Sequence, residues 1–264
     1  MKSVELYHFS GAGNNFVVLD GRTGDVSPYR TVPVIREECA RLDTDGLMIL
    51  SSAPEGYAFS MEFFNPDGSG GMMCGNGGRC IVAFADLLGI GPDPDGIYRF
   101  LAPDGPHQAR ILSRDGAGKW TVRLKMTDVA GVKPVKDGFF LNTGTRHFVR
   151  FVPDVDGMDV EKEGKALRWD DAFAPEGTNA NFVEVGPDLL KIRTFEKGVE
   201  GETLACGTGI TASAIAAFYS GRAAGNEVRL RCRRGDVLSV SFQPQGDGSY
   251  REVFLTGPAE IVQS

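Results

Sequence analysis

The sequence predicts an α+β fold of two pseudo-duplicated units, each mostly antiparallel sheet with one central helix, and three observations lead there. Apolar and polar residues alternate with period two along most of the chain, as half-buried strands require. Two segments break that rhythm, each opening Cys-Gly-x-Gly and continuing for about four helical turns. Their cysteines, Cys74 and Cys206, stand half the 264-residue length apart, as expected of a duplicated unit.

Taken in order, strands are expected at 4–9, 16–20 and 47–50, with the clearest alternation over 57–65. A short amphipathic helix is expected over 34–42. A longer one starts at Cys74, where Ile81, Phe84, Ala85 and Leu88 fall at helical spacing and Gly89 supplies a stop. Strands follow at 108–112 and 120–126. The second half repeats the pattern: strands at 139–142 and 147–152, an amphipathic helix over 160–167, and a strand at 191–195. A helix over 206–221 follows, small and apolar nearly all round as an enclosed helix should be, then strands at 228–232, 237–242 and 252–255. Pro66-Asp-Gly, Pro103-Asp-Gly, Asp115-Gly and Asp247-Gly provide turns tolerant of positive φ.

Lys and Arg number 28 against 35 Asp and Glu, a net charge of −7, which argues against nucleic acid or an anionic membrane as the main partner. With 42% hydrophobic and 24% charged residues the chain has ordinary globular usage, so disordered and fibrous classes are set aside. The opening residues lack the apolar run of a signal peptide, and no 18 consecutive apolar residues occur. The five cysteines are an odd number, which suits free thiols in a reducing cytoplasm.

A cysteine that starts a helix faces unpaired N–H groups and the positive end of the dipole, so its thiol pKa is expected to fall. The same N–H groups can bind a carboxylate, and the glycines at 75, 77, 207 and 209 leave the backbone uncovered for it. Two such thiols around one small ligand fit two-base proton transfer at an α-carbon: one thiolate removes a proton, one thiol delivers another on the opposite face. A single free cysteine most often packs as a small hydrophobe, the reading for Cys39, Cys80 and Cys232, which lack the glycine-rich setting. Cys74 and Cys80 have C-x5-C spacing and only three histidines occur, so no metal site is expected. Gly11-Ala-Gly-Asn-Asn-Phe16 does not read as a dinucleotide fingerprint, and the paired thiols make a cofactor unnecessary.

Eight motifs, in order over the whole chain, resemble the diaminopimelate epimerase family: Ser10-Gly-Ala-Gly-Asn-Asn-Phe16, Asn65-Pro-Asp-Gly-Ser69, Cys74-Gly-Asn-Gly-Gly-Arg-Cys80, Gly144-Thr-Arg-His147, Gly177-Thr-Asn-Ala-Asn-Phe182, Arg193-Thr-Phe-Glu-Lys197, Glu202-Thr-Leu-Ala-Cys-Gly-Thr-Gly209 and Thr256-Gly-Pro-Ala259. The resemblance implies a cofactor-independent isomerase interconverting L,L- and meso-diaminopimelate in lysine and cell-wall precursor biosynthesis. It also implies two domains, each a curled, mostly antiparallel sheet wrapped around a central helix, with the last strand returning to the first domain. Combined with the duplication, this sets the domains at 1–116 plus 257–264 and at 117–256.

By the same resemblance Cys74 and Cys206 are the catalytic pair, with His147 positioning Cys74 and Glu196 positioning Cys206. The backbone N–H groups of Gly75, Asn76, Gly207 and Thr208 hold the reacting carboxylate. Asn14, Asn65 and Asn179 hydrogen-bond the substrate, and Glu196 receives its distal ammonium. The family usually carries Arg where this chain has Lys197, a point charge in place of a planar fork for the distal carboxylate. Thr145 and Arg146 replace an Asn and a Pro, and Gly46 stands where some members have Gln. Arg146 could return a guanidinium to the distal end. The expected partner is a small amino-acid substrate, and the many apolar strand edges suit a homodimer. Two alternatives remain: a related racemase for another amino acid, and a thiol protein that uses Cys74 and Cys206 as a redox switch.

Overall fold

The computed structural model describes residues 4–71 and 73–262. The chain separates into two compact units, Met1–Leu124 with Gly257–Ser264, and Lys125–Thr256. The expected domain ends at 1–3 and 263–264 lie outside the described residues.

In the first unit, β1 (Leu6–Gly11) and β2 (Asn14–Asp20) form an antiparallel hairpin. Its turn residues Ala12 and Gly13 both take positive φ. Helix α1 (Val32–Leu42) leads to β3 (Leu47–Ser51), which lies parallel to β2 and antiparallel to β4 (Phe59–Phe64). Helix α2 (Gly75–Leu87) then crosses to β5 (Tyr98–Ala102), parallel to β4. A meander follows through β6 (Gly105–Arg114) and β7 (Lys119–Lys125). The hairpin β6–β7 keeps the chain in this unit past residue 116. The end of the last strand, from Gly257, pairs with β7 and then with β1, so the sheet closes on itself and leaves no free edge there. Inside the closure, residues 75–85 of α2 are all buried. Ile81, Val82 and Phe84 are fully enclosed, a burial that contributes about 1.5–3 kcal/mol for each such side chain.

The second unit adds β8 (Lys133–Val135) and then repeats the order of the first. It runs β9 (Gly138–Asn142), β10 (Arg146–Phe151), α3 (Val160–Arg168), β11 (Asn179–Val185) and β12 (Leu190–Glu196). After a short β13 (Gly201–Thr203) come α4 (Gly207–Tyr219), β14 (Glu227–Arg231), β15 (Val237–Pro244) and β16 (Tyr250–Ile261). Strand β11 is parallel to β10 after α3, and β14 is parallel to β12 after α4, matching β3 after α1 and β5 after α2. The fold class expected from the duplication is thus present, with one parallel pair at each helical crossover inside otherwise antiparallel sheets, because a strand that returns through a helix re-enters in the same direction. Strand β11 escapes the period-two pattern because residues 179–183 are buried on both faces. Among the described residues no helix is long and apolar enough to cross a membrane.

Candidate active site

Cys74 is the N-cap of α2, in extended conformation, and its Sγ accepts the Gly77 N–H at 3.2 Å. The residue is exposed. The N–H groups of the first turn, Gly75 and Asn76 among them, have no partner within the helix. Asn76 is buried, and its orientation is dictated by Arg79, whose Nη2 donates to Asn76 Oδ1 at 2.9 Å. Because a guanidinium only donates, the other end of Asn76 is its Nδ2, which donates to Asn14 Oδ1 at 2.6 Å. Asn14 Oδ1 is thereby an acceptor for the helix start. Arg79 is itself fully buried and donates to the carbonyls of Gly75 (3.0 Å), Gly11 (3.3 Å) and Pro258 (3.2 Å). A side chain on Gly11 would meet the Asn76 carbonyl at 2.8 Å, so glycine is what lets β1 approach this helix start. Asn65 opens the turn after β4, where its Nδ2 donates to Ser69 Oγ at 3.0 Å.

Cys206 is the N-cap of α4 and, unlike Cys74, is buried, at 7% exposure. Its Sγ lies 3.4 Å from Thr208 Oγ1. Glu196, at the end of β12, accepts from Thr203 Oγ1 at 3.0 Å and also hydrogen-bonds Cys206. Burial pushes the Cys206 thiol well above its ordinary range, and the Glu196 charge pushes the same way. The Thr208 hydroxyl and the Gly209 N–H oppose them without prevailing. The lowered thiol pKa expected from the helix start is thereby corrected for Cys206: desolvation of a buried anion outweighs the dipole. Glu196 is raised as well, by burial first, with Thr203 and Cys206 drawing it back.

His147, on β10, is fully buried. Its Nδ1 meets Asn181 Nδ2 at 3.0 Å, and its Nε2 meets Thr145 Oγ1 and Thr208 Oγ1, each at 2.9 Å. Burial pushes its pKa down to about 3, so the ring is neutral. The hydroxyl of Thr208 thus joins His147 to Cys206, and not to Cys74, the cysteine that the family resemblance has it position. Asn179, at the start of β11, donates from Nδ2 to the Arg146 carbonyl (2.8 Å) and accepts the Lys197 N–H at Oδ1 (2.8 Å), bracing the end of β12 that carries Glu196. Lys197 itself is exposed. The Thr208 carbonyl accepts from Thr143 Oγ1 at 2.9 Å, tying the start of α4 to the end of β9.

The sequence-predicted residues therefore collect in two groups. Asn14, Cys74, Gly75 and Asn76 surround the start of α2, with Asn65 in the neighbouring turn, and His147, Asn179, Glu196, Lys197, Cys206, Gly207 and Thr208 surround the start of α4. A family model described as diaminopimelate epimerase matches residues 7–116 and 139–262, which span both groups. The chain belongs to the diaminopimelate epimerase family. A relative of that name from Flavobacterium psychrophilum is 38% identical over 98% of each chain. One from Chlorobaculum tepidum is 40% identical over 96% of this chain and 97% of its own. The fold is shared with a phenazine biosynthesis protein of the PhzF family from Bacillus anthracis, at TM-score 0.70 and 13% identity over 100% of this chain and 98% of the other. It is shared too with a hydroxyproline epimerase from Agrobacterium vitis, at TM-score 0.63 and 15% identity over 99% and 90%.

Within this diaminopimelate epimerase family member, sequence reasoning overlooked Arg79 and Asn181. Arg79 lies inside the Cys74-Gly-Asn-Gly-Gly-Arg-Cys80 motif, and an arginine among glycines beside a helix start was the available signal. Asn181 stood two residues after Asn179 on the same face of a strand. The Arg146 guanidinium pairs with Glu176, donates to the Phe173 carbonyl at 3.2 Å and lies over the Phe140 ring at 5.1 Å. Asp154, Asp156 and Glu184 bring carboxylate oxygens within 4.8 Å of one another, but the Lys191 ammonium already neutralises Asp156 at 2.7 Å and Glu184 at 3.2 Å.

Proposed function

We propose that the protein epimerises L,L-diaminopimelate to meso-diaminopimelate, with Cys74 and Cys206 as the acid–base pair. The observation that carries this reading is repetition. Each of two topologically equivalent units places a cysteine at the N-cap of its enclosed central helix, and both helix starts lie in the span matched by the family model. On this reading the N–H groups of Gly75, Asn76, Gly207 and Thr208 hold the substrate carboxylate and stabilise the charge that develops on it when the α-proton leaves. Burial and the Glu196 charge favour Cys206 as the thiol, which suits it to the role of acid, with Cys74 as the base. Cys74 takes the α-proton, Cys206 returns one to the opposite face, and the reverse reaction exchanges the roles. A neutral His147 acts through hydrogen bonds and not as a base.

Asn14, Asn65 and Asn179 supply neutral hydrogen bonds to the substrate, Glu196 receives its distal ammonium, and Lys197 receives its distal carboxylate. The two compact units serve as the family's two domains. The free thiols fit a cytoplasmic enzyme, and a homodimer is to be read by light scattering. The test is deuterium uptake by fully reduced protein in heavy water with L,L-diaminopimelate, followed by mass spectrometry and chiral separation. Exchange at the α-carbon with formation of the meso isomer supports the reading. Exchange with another amino acid alone would shift it to a related racemase, a reading that Lys197 and the Thr145–Arg146 replacements favour. No exchange with any amino acid would favour the redox thiol protein.

A further inference from the structure

Asn181 forms no part of the proposed substrate contacts, yet it is fully buried against His147 at the start of α4. Its amide orientation is unambiguous. Asn181 Nδ2 lies 2.9 Å from the Phe148 carbonyl, which only accepts, and Oδ1 receives the Thr194 hydroxyl at 3.0 Å. The second hydrogen on Nδ2 is therefore the one directed at His147 Nδ1, 3.0 Å away, so Nδ1 must accept. A neutral imidazole that accepts at Nδ1 carries its proton on Nε2.

That proton meets two hydroxyls: Nε2 lies 2.9 Å from Thr145 Oγ1 and 2.9 Å from Thr208 Oγ1, and Thr145 donates in turn to Thr208 Oγ1 at 3.1 Å. Whichever oxygen receives the ring proton, Thr208 Oγ1 accepts from at least one of the pair, and its own hydrogen is left for Cys206 Sγ, 3.4 Å away. The opposite tautomer would make Nε2 an acceptor and draw the Thr208 hydrogen off the sulfur. The close approach is built in: a side chain on Gly209 would meet Asn181 Oδ1 at 2.4 Å and His147 Cε1 at 3.3 Å.

We propose that Asn181 is a positioning residue that sets the tautomer of His147 and thereby turns the Thr208 hydroxyl toward the Cys206 sulfur, stabilising the thiolate that turnover creates there. This rests on the acid–base role proposed for Cys206. The relay runs Thr194, Asn181, His147, Thr208, Cys206, entirely within the second unit, and each link uses one donor and one acceptor.

The first arm of the test is nitrogen NMR of the histidine rings in the full chain, reading the His147 tautomer without recourse to activity. A single Nε2–H form in the wild type and a mixture in Asn181→Leu are expected; an Nδ1–H form in the wild type overturns the relay. The second arm is kinetic, with diaminopimelate as substrate. Thr208→Val and Asn181→Leu should each lower kcat/KM about 10- to 100-fold, the weight of one hydrogen bond to an anion, with little change in KM. Both directions must fall together, since their ratio is the equilibrium constant. The alkaline limb of the kcat/KM profile should move to higher pH in both variants, because a thiol that loses its donor ionises later. Thr208→Ser, which keeps the hydroxyl, should restore the rate. The double variant should be little worse than either single one; fully additive losses, or an unmoved alkaline limb, overturn the proposal. An Nε2–H ring in a wild type that exchanges no diaminopimelate α-proton would instead refute the proposed reaction while supporting the tautomer assignment.

Discussion

The starts of α2 and α4 share a sequence motif and an extended N-cap cysteine but not a chemical setting. Cys74 is exposed and receives the Gly77 N–H, and the charged group fixing its surroundings is a buried arginine that touches backbone carbonyls and Asn76. Cys206 is buried beside a carboxylate and linked through a hydroxyl to a neutral imidazole. Duplication copied the scaffold of a thiol at a helix start. Divergence then gave the two thiols different surroundings, one exposed and one buried beside a carboxylate, the kind of difference that the proposed division into base and acid calls for.

The comparison can be broken most directly at the sulfurs. Cys74→Ala and Cys206→Ala should each lower turnover in both directions by about a thousandfold, since on the proposed reading each removes a proton-transfer group, while circular dichroism stays near wild type. Full activity in either variant would remove the two-thiol mechanism.

Next in size is the pH dependence of folding carried by His147. Its native pKa, about 3, lies below the unfolded value, so the unfolded chain binds the extra proton and stability is lost as pH falls from about 6.5 toward 3. The loss should approach about 4 kcal/mol. Denaturant melts of the wild type and His147→Gln across that range should diverge by this amount, and parallel curves would show that the ring is not held neutral. On the other side, Arg79→Leu leaves several buried acceptors unmet and should destabilise the protein by about 3 kcal/mol, read as a lowered Tm, with the His147-dependent pH slope unchanged.

A smaller effect sharpens the contrast in charge. Glu196→Gln removes the negative neighbour that raises Cys206, so the thiol should ionise earlier and the alkaline limb of kcat/KM should move to lower pH, opposite to the shift expected for Thr208→Val. Arg146→Ala should have the least effect. Its ion pair with Glu176 is partly exposed, so stability should change by less than about 1 kcal/mol and kcat/KM by less than about twofold; a large rise in KM for diaminopimelate would show that Arg146 serves the substrate after all.

Much of the architecture was legible because it depends on local pattern. Alternation marked most strands, and the Cys-Gly-x-Gly segments marked both central helices. Strand β11 was not legible, because Asn179 and Asn181 occupy buried positions where a pattern reading expects apolar side chains. Arg79 was illegible for a related reason: an arginine is ordinarily read as surface, and the acceptors that make its burial tolerable include the carbonyls of Gly11 and Pro258, distant in sequence.

By itself, the sequence determined the duplication, the placement of a cysteine at each central helix start and membership in a family, since all three are written in the order and spacing of residues. Tertiary structure decided how each cysteine behaves. A helix start favours a thiolate by local geometry alone, but the free energy of a charged sulfur is set by what surrounds it: solvent at Cys74, and at Cys206 an enclosed site with a carboxylate and a hydroxyl brought in from other elements of the fold. Those neighbours come from long-range packing, and a low local dielectric makes their influence larger than that of the helix itself.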